Sequence, residues 1–274
     1  MKKFITYLFT VFVLVTCLNF FGSFLLDLLI SKSNFRWINM FNESPSAYVI
    51  GNSRGVNSIV EKEFNENCEL EILNLSYNGL QPPEIKHLVK FTDIEKPLII
   101  EISTFLLQTN FDLDEFRFSS IKNLRNYSDF STTFFPLFNY NNDLTLRLLY
   151  YNFTNDKSWV NSGVLGDIEV KIYESKLSNL SYDLSKLIDF IQFLDNRGQD
   201  YILYHAPIHN SYKKSITNFD KVVDQIKELS PSFLDLSSSL QSNEFFADLG
   251  HSNNIGAIFL QDTLCEHFEY YLKN

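Results

Sequence analysis

The chain has 274 residues, 45% hydrophobic and 20% charged, a composition that supports a packed interior and excludes a wholly disordered protein. Its 23 basic and 33 acidic residues give a net charge of −10, which repels a phosphate backbone and argues against a nucleic-acid partner. Three cysteines, Cys17, Cys68 and Cys265, lack the close spacing of a zinc site and are too few for a disulfide framework.

From Phe4 to Leu26 there are 23 residues without a charge, a stretch that as a helix spans about 35 Å and crosses a bilayer. Lys2 and Lys3 precede it and favour a cytoplasmic N-terminus, a bias weakened by Lys32 and Arg36 on the far side. The run is longer than the apolar region of a cleaved signal peptide, and no A-x-A-like site follows it. Cys17 sits in LVTC, but the apolar run continues beyond it where a lipoprotein would turn polar, so a buried cysteine is expected. Residues 1–31 therefore read as an uncleaved, single-pass anchor in the cell membrane that meets the lipid bilayer through residues 4–26. Residues 32–44, rich in Ser and Asn, read as a linker, and 45–274 as an extracytoplasmic domain. Beyond residue 44 there are 19 basic and 31 acidic residues, a net charge of −12, which keeps that domain from lying flat on an anionic leaflet.

Strands then alternate with helices. Ala47 to Ile50 is a short apolar run stopped by Gly51, and Val56 to Phe64 changes to helical spacing. Glu71 to Leu75 is a second strand, ended by Asn78-Gly79; Pro82 and Pro83 suit the first turn of a helix that continues through Ile85, Leu88 and Val89. Leu98 to Ile102 is nearly continuous in apolar residues, as a parallel strand covered on both faces requires. Leu187, Ile188, Ile191 and Leu194 share one helical face within Leu184 to Leu194, Arg197-Gly198 ends that helix, and YILYHAP supplies a fourth strand; Phe233 to Leu236 is a fifth. The pattern predicts an α/β fold: an open, mostly parallel sheet with helices on both faces and ligands beyond the carboxyl ends of its strands.

Residues 108–180 interrupt this rhythm. Thirteen aromatic side chains lie between Phe111 and Trp159, among them Phe134-Phe135 and Tyr150-Tyr151, mixed with Asn, Asp and Ser. This is an insertion, either a mini-core of its own or a lid whose rings stack on sugars or touch the bilayer interface.

Three motifs fall at predicted strand ends or loops: Gly51-Asn52-Ser53-Arg54, then Asn74-Leu75-Ser76-Tyr77-Asn78-Gly79, then Asp248-Leu249-Gly250-His251 with Asn253 and Gly256 just after. A serine at a tight strand-to-helix turn has its hydroxyl lifted clear and its amide at a helix start, so it can attack a carbonyl; the same residue in isolation serves as an N-cap. Asp248 three residues before His251 can accept the Nδ1 proton and leave Nε2 to deprotonate a serine, or the two can be a capping carboxylate beside a surface histidine. Asn52 and Arg54 flank the serine as substrate-binding candidates, although an arginine opening a helix also pairs with carboxylates. His205 and His209, around Pro207 at another strand end, fit a pocket wall better than a metal site, since no carboxylate or cysteine stands at ligand spacing. No phosphate cradle, metal cluster or redox motif appears, and no cofactor is expected.

In order and placement these motifs resemble the SGNH (GDSL-like) hydrolase family, and most closely its membrane-anchored bacterial branch of DltD-like and alginate O-acetylation-like envelope proteins. The resemblance covers about residues 45 to 107 and 184 to 274. It implies Ser53 as nucleophile, His251 as general base and acid, and Asp248 as the residue that orients it. It implies an oxyanion hole from the amides of Ser53 and Gly79, and HSNNIGA resembles the family's H-x-N-x-x-G ending. The family's third block offers an Asn side chain to the oxyanion, but the matching strand end here reads IIEISTF. An ionised Glu101 cannot donate, Ser103 substitutes in part, and Asn78 is the other replacement; losing one such donor costs about 100- to 1000-fold in rate. The resemblance further implies acyl esters of envelope glycans as substrate and a membrane-bound O-acyltransferase as partner. A catalytically degenerate glycan-binding or scaffold protein of the same fold is the alternative, and a flavodoxin-like receptor domain a third.

Overall fold

A computed structural model describes residues 2–107, 121, 124, 136–140, 142–152 and 160–273. They divide into two compact units, one of residues 43–113 with 158–274 and the other of residues 1–42 with 114–157.

The larger unit is built on a five-stranded sheet from β1 (Ala47–Ile50), β2 (Ile72–Asn74), β3 (Leu98–Glu101), β4 (Tyr201–His205) and β5 (Leu234–Asp235). The order is β2-β1-β3-β4-β5 and every pairing is parallel, so the fold is α/β, as the alternating pattern predicts. In this order the chain leaves β1 toward β2 on one side and β3 lies on the other, which makes the carboxyl end of β1 a topological switch point. Successive strand residues point to opposite faces. Ala47, Val49, Ile72, Ile99, Ile202 and Tyr204 pack with Phe64, Leu264 and Phe268 on one of them. Tyr48, Ile50, Leu98, Ile100 and Leu203 alternate with these and are equally buried, as are Ile85, Leu88, Leu187, Phe190 and Leu194 on the predicted helices.

The helical run predicted from Val56 to Phe64 is in fact two short helices, Ser53–Ser58 and Glu61–Asn67, because Ile59 and Val60 take extended backbone. The helix Ser185–Arg197 ends where Gly198 adopts φ 67°, the left-handed cap that glycine reaches without strain. One element was not anticipated: an antiparallel pair, β6 (Phe246–Asp248) and β7 (His251–Ser252), outside the main sheet. Strands this short carry too little alternation to read.

The insertion boundaries differ from those expected at 108 and 180. Residues 158–180 belong to the α/β unit: Leu165 N–H donates to the Phe246 carbonyl at 2.8 Å, and Leu107 bridges Tyr182. Residues 114–157 belong to the smaller unit. There the apolar helix α1 (Lys2–Ile30) is met by Pro136–Asn139 and by the helix Asn142–Tyr150. Tyr140 Oη donates to Asp27 Oδ1 at 2.8 Å and lies 3.2 Å from Ser23 Oγ, while Leu137 N–H donates to Asn19 Oδ1 at 3.1 Å. Residues 32–44 are not a free tether. Trp37 is fully buried, Phe35 packs edge-on against it, and Ser33 Oγ donates to the Leu148 carbonyl at 2.7 Å. The Ser and Asn content suggested a linker, but the two aromatic rings between them supply enough apolar surface to fold it down. Phe134, Phe135 and Trp159, named for the lid, lie outside the described residues.

Candidate active site

β1 runs into Gly51, and the helix Ser53–Ser58 starts two residues later. Asn52 caps it: its side-chain oxygen accepts the Arg54 N–H at 2.9 Å. The turn is tight because Gly51 passes over a buried side chain; a Cβ on Gly51 would stand 2.6 Å from the Glu101 Cβ. Ser53 is thereby raised half-buried at the switch point, and as the first helical residue its amide has no carbonyl a turn earlier to bond.

The hairpin β6–β7 brings the other two groups. Ser53 Oγ lies 2.7 Å from His251 Nε2, a separation of 198 residues closed by the fold. His251 Nδ1 lies 2.9 Å from each Asp248 oxygen. Facing only carboxylate oxygens, Nδ1 carries the proton and Nε2 is left to accept the serine hydroxyl. Burial pushes the Asp248 carboxyl up, but the hydrogen bonds and charge of His251 and the Gly250 and His251 amides outweigh it, so its pKa falls below the usual carboxylate value.

Neighbouring side chains fix this alignment. Asn57 Nδ2 donates to the Ser53 carbonyl at 2.7 Å, and Ser252 Oγ donates to the Asn57 carbonyl at 2.8 Å, tying the Ser53 helix to the His251 strand. His209 N–H donates to the Leu249 carbonyl at 3.0 Å. Asn253 is fully buried; its oxygen caps the following helix through Gly256 N–H at 3.0 Å, and its amide donates to the carbonyls of Gly163 at 2.9 Å and Glu244 at 2.7 Å. Gly256 is required there, since a Cβ would run into the Phe245 carbonyl and come within 2.9 Å of Leu240.

A cavity of about 400 Å³ opens on the serine, lined by Asn52, Ser53, Arg54, Asp248 and His251 among the expected residues. Gly79 and Asn78 are in the loop after β2 and do not line it; Gly79 takes φ 73°, as the third residue of a turn closed by Leu80 N–H on the Tyr77 carbonyl requires. His205 does not line it either. It is fully buried, Nδ1 meets the Ala206 carbonyl at 2.7 Å, Nε2 meets Tyr182 Oη at 3.1 Å, and burial beside Arg54 lowers its pKa to about 4. A neutral core histidine that braces Tyr182 is the outcome, in place of a substrate contact. Ser103 is not a free donor: its hydroxyl is given to Glu101 Oε2 at 2.8 Å. Glu101 also accepts the Ser103 and Ala206 amides, and burial pushes its carboxyl up.

Tyr173, Lys176, Leu177 and Tyr212 line the cavity unforeseen. The first three fall in the stretch assigned to the insertion, and Tyr212 sits on the short polar helix Asn210–Ser215, where no sequence signal marks it.

No protein-family model matches the chain, and no curated protein matches it at significance.

Proposed function

We propose that this protein is a membrane-anchored serine esterase or O-acyltransferase of SGNH type, acting on acyl esters of cell-envelope glycans. The Ser53–His251–Asp248 relay, with donor–acceptor distances of 2.7 and 2.9 Å, carries the proposal. Ser53 Oγ attacks the ester carbonyl as its proton passes to His251 Nε2; the C–O bond to the alcohol breaks, and that alcohol leaves with the proton from His251. Water or a sugar hydroxyl then attacks the acyl-serine, His251 taking its proton and returning one to Ser53. The Ser53 amide supports the oxyanion.

Anchorage and an extracytoplasmic domain are supported by three features. Lys2 and Lys3 precede the span. Cys68 and Cys265 form a disulfide with Cα atoms 5.8 Å apart, a bond that persists in oxidising compartments. Asn19, Ser23 and Asp27 of α1 are engaged by residues 137 and 140, partners a cleaved signal would leave behind. A membrane-bound O-acyltransferase as donor of the acyl group completes the proposal.

Full-length protein in detergent is incubated with 4-nitrophenyl acetate and with a fluorophosphonate probe. Labelling and turnover vanish in Ser53→Ala and fall in His251→Ala; equal labelling of wild type and Ser53→Ala refutes the assignment. A degenerate glycan-binding or scaffold role is favoured by one observation, the Glu101–Ser103 pairing that commits the Ser103 hydroxyl where the family's third block offers a side-chain donor. Glycan binding with no labelling is its signature.

A further inference from the structure

Arg54 follows the nucleophile directly, lines the cavity, and is only 5% exposed. Its guanidinium packs over the Tyr212 ring, 4.9 Å from the centroid, and a Cβ on Gly250 would lie 3.6 Å from Nη2, so the group sits against the turn between Asp248 and His251. Nη1 is buried without a hydrogen-bond partner. Among the described residues no carboxylate stands within ion-pair distance of Arg54: Glu101 is occupied by Ser103 and Ala206, and Asp248 by His251 and Gly250. Burial works against the charge of Arg54, but the electrostatics of Tyr182, Tyr212 and Glu101 and a side-chain hydrogen bond to Tyr182 outweigh it and hold the group protonated, with Nη1 still unpartnered. Lys176 adds a second cation to the cavity wall, and among the described residues Asp248 is the one carboxylate lining it.

A buried cation with an unused donor is costly unless something supplies the missing charge and acceptors. In a chain of net charge −10, a positive cavity beside the nucleophile is not a by-product of composition. We infer that Arg54, assisted by Lys176, forms an anion subsite, and that the ester processed at Ser53 carries a carboxylate or a phosphate close to its scissile carbonyl. This rests on the proposed acyl transfer for the identity of the reacting group, though not for the anion subsite itself. Carboxylate and phosphate present the same paired oxygens to a planar guanidinium, which binds either by two parallel N–H···O bonds.

The full-length protein is assayed with matched aryl acetates: methyl 4-acetoxybenzoate as the neutral ester, 4-acetoxybenzoate for the carboxylate and 4-acetoxyphenyl phosphate for the phosphate, with 4-nitrophenyl hemisuccinate against 4-nitrophenyl acetate to place the charge on the acyl side. Wild type prefers at least one anionic ester by about 10- to 100-fold in kcat/KM, the worth of one charge-assisted contact. Arg54→Met brings that ratio close to one and Arg54→Lys retains part of it, while the arm with the largest ratio identifies the anion and its side. In parallel, benzoate and phenyl phosphate are titrated calorimetrically into Ser53→Ala, and binding weakens at least tenfold when Arg54→Met is added. Ratios near one in wild type, or a preference that survives Arg54→Met, overturn the inference. Absent turnover with Arg54-dependent anion binding overturns the acyl-transfer proposal and keeps the subsite. Should Arg54→Met not fold, the wild-type ratios and Arg54→Lys decide.

Discussion

Replacing Asp248 by Asn tests the relay at its least replaceable point. The carboxylate presents two oxygens at 2.9 Å to one imidazole nitrogen, and the isosteric amide substitutes a donor for one of them and removes the charge. With charge centres roughly 4 Å apart and an effective dielectric near 20, an imidazolium formed during attack gains about 4 kcal/mol from the carboxylate, about three powers of ten in rate. The His251 and Asp248 side chains are 27% and 36% exposed. Water therefore screens the pair, and roughly half that value, about 30-fold, is the lower bound. Asp248→Asn is thus expected to lower kcat for 4-nitrophenyl acetate, and the rate of fluorophosphonate labelling, by about 30- to 1000-fold, with circular dichroism unchanged. A variant within threefold of wild type in both assays would mean that Asp248 does not orient or stabilise the histidine during the reaction, and the mechanism as drawn fails.

His205 has a folded pKa of about 4 against an ordinary value of 6.5. The unfolded chain then binds more protons between those values, so the melting temperature should fall as pH drops from 6.5 toward 4, and His205→Gln should flatten that slope. Gly256→Ala forces a Cβ against the Phe245 carbonyl and Leu240, and should destabilise by about 1–3 kcal/mol in urea denaturation. Asn57→Ala removes a 2.7 Å bond to the Ser53 carbonyl and strands the Asn161 amide that Asn57 accepts at 2.8 Å. It should cost about 1–3 kcal/mol of stability and depress kcat more than it raises KM.

The parallel sheet was legible because its central strands are buried and read as short apolar runs between Gly, Pro and Asn punctuation: Leu98 to Ile100 is the clearest. The same logic located Ser53, since a glycine directly after a buried strand marks a turn that lifts the next side chains out of the core. His251 was legible from its spacing to Asp248, but the hairpin that carries the pair was not, because two strands of two and three residues leave no period to detect. His205 misled for a physical reason. A strand-end position suits a pocket wall and a buried polar brace equally, and only its partners, Tyr182 and the Ala206 carbonyl, separate the two. The cavity wall from Tyr173 to Leu177 was hidden by the insertion, whose chain returns to the α/β unit at residue 158 and not after 180.

The Cys68–Cys265 bond closes a covalent ring across a sequence separation of 197. Ser53 hangs just outside one end of that ring and His251 lies within it near the other, so a single protease cut in the insertion would open the ring without releasing either reacting group. The nicked protein would migrate as two fragments only after reduction. A chain clasped in this way can be cut once between residues 68 and 265 and still leave as one molecule.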